Sequence, residues 1–106
     1  MARYLILWRR SPTAWPTDPV EYSRLVERAA AWIDDRIKKG EIKEHAHFLD
    51  GTSGYTICEG EAADIFRALS MTVPNYDYEI HEFIPYDKSR EILRAVFKAQ
   101  AETAKK

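Results

Sequence analysis

Three histidines, His45, His47 and His81, fall in stretches whose residues alternate in polarity. His45 and His47 stand two apart, so on a strand they share one face, and His81 shares a face with Glu79 in the same way. Imidazole titrates near neutral pH, so histidine beside a carboxylate can take and return a proton on a small bound acid. Two or three histidines with one carboxylate also match the donor set of zinc or non-haem iron. The third reading leaves the same side chains on a solvated sheet edge or in satisfied hydrogen bonds, because His-x-His on a strand is a weak motif. The candidate catalytic residues are therefore His81, Glu79, His45 and His47. His81 and Glu79 are the pair expected to move the proton, and no metal is assigned.

A second group lies near the N-terminus. Arg9 and Arg10 end the first β-prone run, and Trp15 follows within a loop holding two prolines. A guanidinium offers a planar donor fork, so these arginines with Trp15 above them can hold a carboxylate or a flat ring. Tyr55 completes the candidate ligand-binding set of Arg9, Arg10, Trp15 and Tyr55. The alternative makes the arginines solvated, Trp15 a packing residue against the last helix, and Tyr55 part of a core or interface. Cys58 is alone, which excludes an internal disulfide, and with Ile57 and Glu59 beside it reads as a buried, inert thiol. Gly-rich phosphate loops, Ser-His-Asp sets and Cys-x-x-Cys pairs are absent from the sequence, and no cofactor is expected.

The elements that must position these groups follow from spacing. Residues 3 to 9 are β-prone and apolar on both faces, as suits a central strand. Asp18 can cap a helix that opens on Pro19, with Glu21 three residues beyond the cap. Tyr22, Leu25, Val26, Ala29, Trp32, Ile33 and Ile37 draw one stripe down it, and Gly40 ends it. From 42 to 49, Ile42, Glu44, Ala46 and Phe48 alternate with Lys43, His45, His47 and Leu49. A turn at 50–54 and a strand at 55–59 make this a hairpin. A second helix runs from Glu61 to about Met71, and a last strand spans 76 to 84. Asp87 is expected to cap a final helix carrying Ile92, Leu93, Val96 and Phe97, with a frayed tail at 102–106.

The order is β-α-β-β-α-β plus one helix, a ferredoxin-like α+β fold in one domain covering residues 1–106. Right-handed crossovers give an antiparallel four-stranded sheet in the order 4-1-3-2, with both main helices on one face. Bulky residues remain for the other face, Leu7 or Trp8 and Phe83 among them, and leaving them in water would expose a large apolar patch. A sheet-to-sheet homodimer hides both copies of that patch, and the third helix can cover part of it or embrace the partner. The edge strand of one subunit would then approach the other edge of its partner and bring His45, His47, His81 and Glu79 to one cavity. The net charge is −1 and the basic residues form only short doublets, so a nucleic-acid partner is not expected. The apolar run Tyr4 to Trp8 is too short for a signal-peptide core or a membrane span, so a cytoplasmic protein with no membrane partner is expected.

The run Gly54-Tyr-Thr-Ile-Cys-Glu, the helix segment Ile65-Phe-Arg-Ala-Leu and the strand Tyr78-Glu-Ile-His-Glu-Phe-Ile-Pro resemble the dimeric α+β barrels. Within that group the chain is similar to muconolactone-isomerase-like proteins and related small families of unknown function. The resemblance implies a homodimer whose C-terminal extension packs on the partner. Isomerase activity does not carry over with it, because the first loop and helix depart from that pattern. Some barrels of this kind bind haem through a helical histidine, and no expected helix here contains one. The function expected is binding of a small organic, anionic molecule, with cofactor-free proton transfer such as isomerisation as its chemistry. The alternative is a non-catalytic ligand-sensing or protein-interaction module.

Overall fold

Asp18 holds extended backbone and its carboxylate accepts the Glu21 amide at 3.1 Å, which starts a helix where the sequence asks for one. The computed structural model describes residues 1–105. In chain order the elements are β1 (Arg3–Arg10), α1 (Pro19–Lys38), β2 (Ile42–His47), β3 (Ser53–Glu59), α2 (Ala62–Ser70), β4 (Tyr76–Glu82) and α3 (Tyr86–Ala104). Three antiparallel pairings join the strands into one four-stranded sheet, β2-β3-β1-β4, which read from its other edge runs β4-β1-β3-β2. The protein is thus α+β. Among the described residues no helix is long and apolar enough to cross a membrane.

The β2–β3 hairpin turns on Asp50, whose carboxylate accepts the amides of Thr52 and Ser53 and the Ser53 hydroxyl. Gly51 takes the left-handed φ of 78° that the turn requires. These bonds shorten β2, which ends at His47, and start β3 earlier, at Ser53. Near the start of β2 the register slips between Ile42 and Glu44, leaving Lys43 as the extra residue of a bulge. Ile42 therefore pairs with Cys58, His45 with Thr56 and His47 with Gly54, so all three share one face of the sheet.

That face is the one α1 and α2 cover. Across it lie Tyr4, Ile6, Trp8 and Arg10 of β1, their partners Thr56 and Cys58, and Tyr76 and Tyr78 of β4. The core is small. Ile6, Ile42 and Cys58 form its centre, with Ile33 of α1 and Ile65 and Leu69 of α2 packed against them. The opposite face carries Leu5, Leu7, Tyr55 and Ile57, all half-buried, with Glu79 and His81 on its edge strand.

Helix α3 leaves the body. It begins directly after Pro85, with Asp87 inside its first turn, so Asp87 makes no capping bond and is not the cap expected from the sequence. Its carboxylate sits where the helix dipole favours negative charge. The helix continues through Ala104, into the 102–106 stretch expected to fray; Lys106 lies outside the described residues. The molecule measures 69 Å along its long axis and 29 by 25 Å across it. The α3 stripe is open to water, Ile92 at 48%, Leu93 at 50%, Val96 at 43% and Phe97 at 58%. The radius of gyration is 19.0 Å, against about 13 Å for a compact chain of this length.

Candidate functional site

Between the sheet and helices α1 and α2 lies a cavity of about 360 Å³. Ile33 of α1 and Ile65 and Leu69 of α2 reach the sheet around Ile6 and Ile42, and ring-bearing residues line the space beside them. Its aromatic end is built on β1. Trp8 is 7% exposed and pairs across the strands with Gly54. A Cβ at Gly54 would meet the Trp8 indole and the Ala46 carbonyl, so only glycine lets the indole lie flat against β3. The indole stacks on the His45 ring at 5.5 Å and 11°. It meets His47 edge-on at 5.0 Å and Tyr76 edge-on at 6.0 Å.

The loop after β1 brings a second indole. Trp15 lies edge-on to Tyr76 at 5.2 Å and to Tyr22 at 5.6 Å. The Arg10 guanidinium sits over both Trp15 and Tyr22, at 5.2 and 5.5 Å from their ring centres. It donates to the Tyr22 hydroxyl at 2.7 Å and to the Gly51 carbonyl at 2.9 Å. Asn75 ties the loop to β4, donating to the Ala14 carbonyl at 3.1 Å while its own carbonyl accepts the Ser11 amide.

Polar groups on this wall divide into satisfied and unsatisfied. His45 Nδ1 and the Thr56 hydroxyl share a hydrogen bond of 2.7 Å, which leaves Nε2 as the other polar atom of the ring. Burial, and after it the neighbouring His47, hold His45 below its ordinary pKa, so its imidazole is neutral at pH 7. Burial pushes the Tyr78 phenol up, against a hydrogen bond with Thr72 that works the other way. Trp8 Nε1, Arg10 Nε and Trp15 Nε1 are closed to solvent and meet no acceptor in the chain. All three belong to cavity-lining residues.

The sequence-derived candidates separate into two groups. His45, His47, Arg10 and Trp15 line the cavity. His81 and Glu79 bond to each other at 2.9 Å on the opposite face, both exposed. Arg9 shares that opposite face, as does Tyr55, whose hydroxyl donates to Glu44 at 2.7 Å. The expected gathering of His45, His47, His81 and Glu79 does not occur within the chain. Stacking two copies through their open faces would not produce it either, because the bulge at Lys43 turns His45 and His47 toward the helices. Arg9 and Arg10 likewise part company, since neighbours on a strand point to opposite sides. Cys58 is buried, and burial raises its pKa. Among the described residues no three His, Cys, Asp or Glu side chains gather as a metal site.

Sequence reasoning missed Trp8, Gly54, Thr56 and Tyr76 as parts of the site. The one available signal was Gly54 itself, since glycine inside a strand marks close approach by another group. No family model matches the chain, and neither a curated protein nor a solved structure was found that matches it.

Proposed function

We propose that the protein is a cytoplasmic homodimer that binds one small organic molecule per subunit, in the cavity between the sheet and its first two helices. The observation that carries this reading is the cavity itself, about 360 Å³ and lined by Trp8, Trp15, Tyr76 and Tyr78 together with Arg10 and Arg28. Beside it Trp8 Nε1, Arg10 Nε and Trp15 Nε1 are unpaired, at a cost of about 1–3 kcal/mol each, and a small rotation of each side chain toward a guest would pair them. The volume suits a small ligand, near the lower end of ordinary binding pockets.

The dimer rests on surface area. The chain exposes 8125 Å², against about 6,100 Å² for a compact monomer of its mass. A standard interface takes about 800 Å² from each partner, so the excess is more than enough for one. The open sheet face and the stripe on α3 supply apolar surface for it, and the ferredoxin-like order of elements suits sheet-to-sheet pairing. Proton transfer, if the protein turns its ligand over, falls to His45, which is neutral at pH 7 and lines the cavity. The second reading is a non-catalytic interaction module, favoured by α3, which reaches out from the body with its apolar stripe unpartnered.

Titration of isotopically labelled protein with a panel of mono- and bicyclic organic acids tests the cavity. Binding there shifts the indole N–H resonances of Trp8 and Trp15 saturably. A panel in which no compound moves either resonance rejects the reading.

A further inference from the structure

Given that the cavity is a ligand site, its lining also selects the chemical class of the ligand. We infer that the ligand is a planar aromatic anion of one or two rings, its carboxylate or phenolate oxygen directed at the β1 end of the cavity. Three observations combine. The unpartnered buried atoms on the lining residues are all donors, two indole N–H groups and one guanidinium N–H, and small rotations of these side chains toward the cavity would pair them with an acceptor on the ligand. Among the described residues no Asp or Glu lines the cavity, whereas Arg10 and Arg28 do, so a cation finds no counter-charge there and an anion does. The wall is ring-built, with Trp8, Trp15, Tyr76 and Tyr78 presenting faces and edges at spacings of 5.2 to 6.2 Å. Such a wall favours a flat π-system over a saturated chain of equal area, by about 0.5–1.5 kcal/mol for each well-placed pair.

His45 fits the same class. Kept neutral by burial and stacked on Trp8, it extends the aromatic wall. Arg10 is already held by Tyr22 and the Gly51 carbonyl through one terminal nitrogen, which leaves Nε and the other terminal nitrogen for the ligand.

Three probes of similar size separate the terms in the full chain: 2-naphthoate, its saturated analogue decalin-2-carboxylate, and 2-naphthylmethylammonium. Dissociation constants come from the Trp8 and Trp15 indole resonances. The expected order has 2-naphthoate bound at least tenfold more tightly than either analogue. Trp8→Phe keeps a ring and removes one donor, and it weakens 2-naphthoate about tenfold, the scale of one hydrogen bond to a charged group. Trp15→Phe gives the same readout if Trp8→Phe does not fold. Equal affinity for all three probes overturns the assignment of class and leaves the cavity as a ligand site. Absence of any shift with all three overturns both.

Discussion

Replacing Gly54 with alanine tests the seat on which the aromatic wall depends. The new Cβ would press on the Ala46 carbonyl oxygen and on the Trp8 indole, whose Cε2 would lie 2.9 Å away. Neither neighbour yields easily. Ala46 belongs to the backbone of the adjoining strand, and Trp8 is 7% exposed and bounded by His45, His47 and Tyr76. Gly54 has no positive φ, so the penalty comes from space and not from backbone strain. Overpacking of this kind costs about 1–3 kcal/mol. Displacing the indole from its ring partners adds about 0.5–1.5 kcal/mol, and the stiffer unfolded chain returns about 0.4–1 kcal/mol. The net loss is about 2 kcal/mol, and with a urea slope of about 1.5 kcal/mol/M it lowers the unfolding midpoint by about 1.3 M.

Urea unfolding followed by tryptophan fluorescence and far-ultraviolet dichroism at one fixed protein concentration reads this directly. The same substitution in a Trp8→Leu background isolates the indole, and there the cost of Gly54→Ala falls to about 1 kcal/mol because only the Ala46 contact persists. An unchanged midpoint for the single variant refutes the steric reasoning. Equal costs in the two backgrounds would assign the whole effect to Ala46 and remove Trp8 from it.

Two further outcomes are expected. Ending the chain after Pro85 removes α3, and sedimentation equilibrium should then report one chain where the intact protein reports two; a truncated protein that keeps the dimer mass shows that α3 lies outside the interface. His45, its folded pKa depressed, contributes stability that is fully present above the unfolded value near 6.5 and is lost as pH falls through the folded value. Between pH 7.5 and 5 the urea midpoint of the parent should therefore fall more steeply than that of His45→Gln, and parallel curves would count against burial as the cause.

Local signals made much of the fold legible. Asp18, Pro19 and Glu21 set the start of α1 within four residues of sequence, and the Asp50-Gly51 pair set the hairpin within five. The site was harder to read, for a physical reason at one residue. Plain alternation groups Ile42 with Glu44 and Ala46 and sets the histidines against them. The bulge at Lys43 breaks that parity and places His45 and His47 beside Ile42. A single extra residue flips every side chain beyond it to the other face. Nothing in the composition of Ile-Lys-Glu announces a bulge, so the histidines were grouped with His81 and Glu79, from which the sheet separates them. The seat for Trp8 escaped notice because its floor, Gly54, lies 46 positions away in sequence and joins it only through the β1–β3 register.

Strand β1 would keep the proposed ligand binding and the proposed self-association separate in one small chain. Its residues alternate between the two jobs, with Ile6, Trp8 and Arg10 turned to the cavity and Leu5, Leu7 and Arg9 to the open face. Each face is incomplete in a different currency. On the cavity side three donors lack acceptors, which a dimer partner on the far side of the sheet cannot provide. The open side lacks apolar cover, which a small anion cannot provide. A single partner therefore cannot repair both deficits, and the sheet between them keeps substitutions on one face from reaching the other by direct contact. That separation is what lets the Gly54 and α3 variants report on different halves of the same proposal.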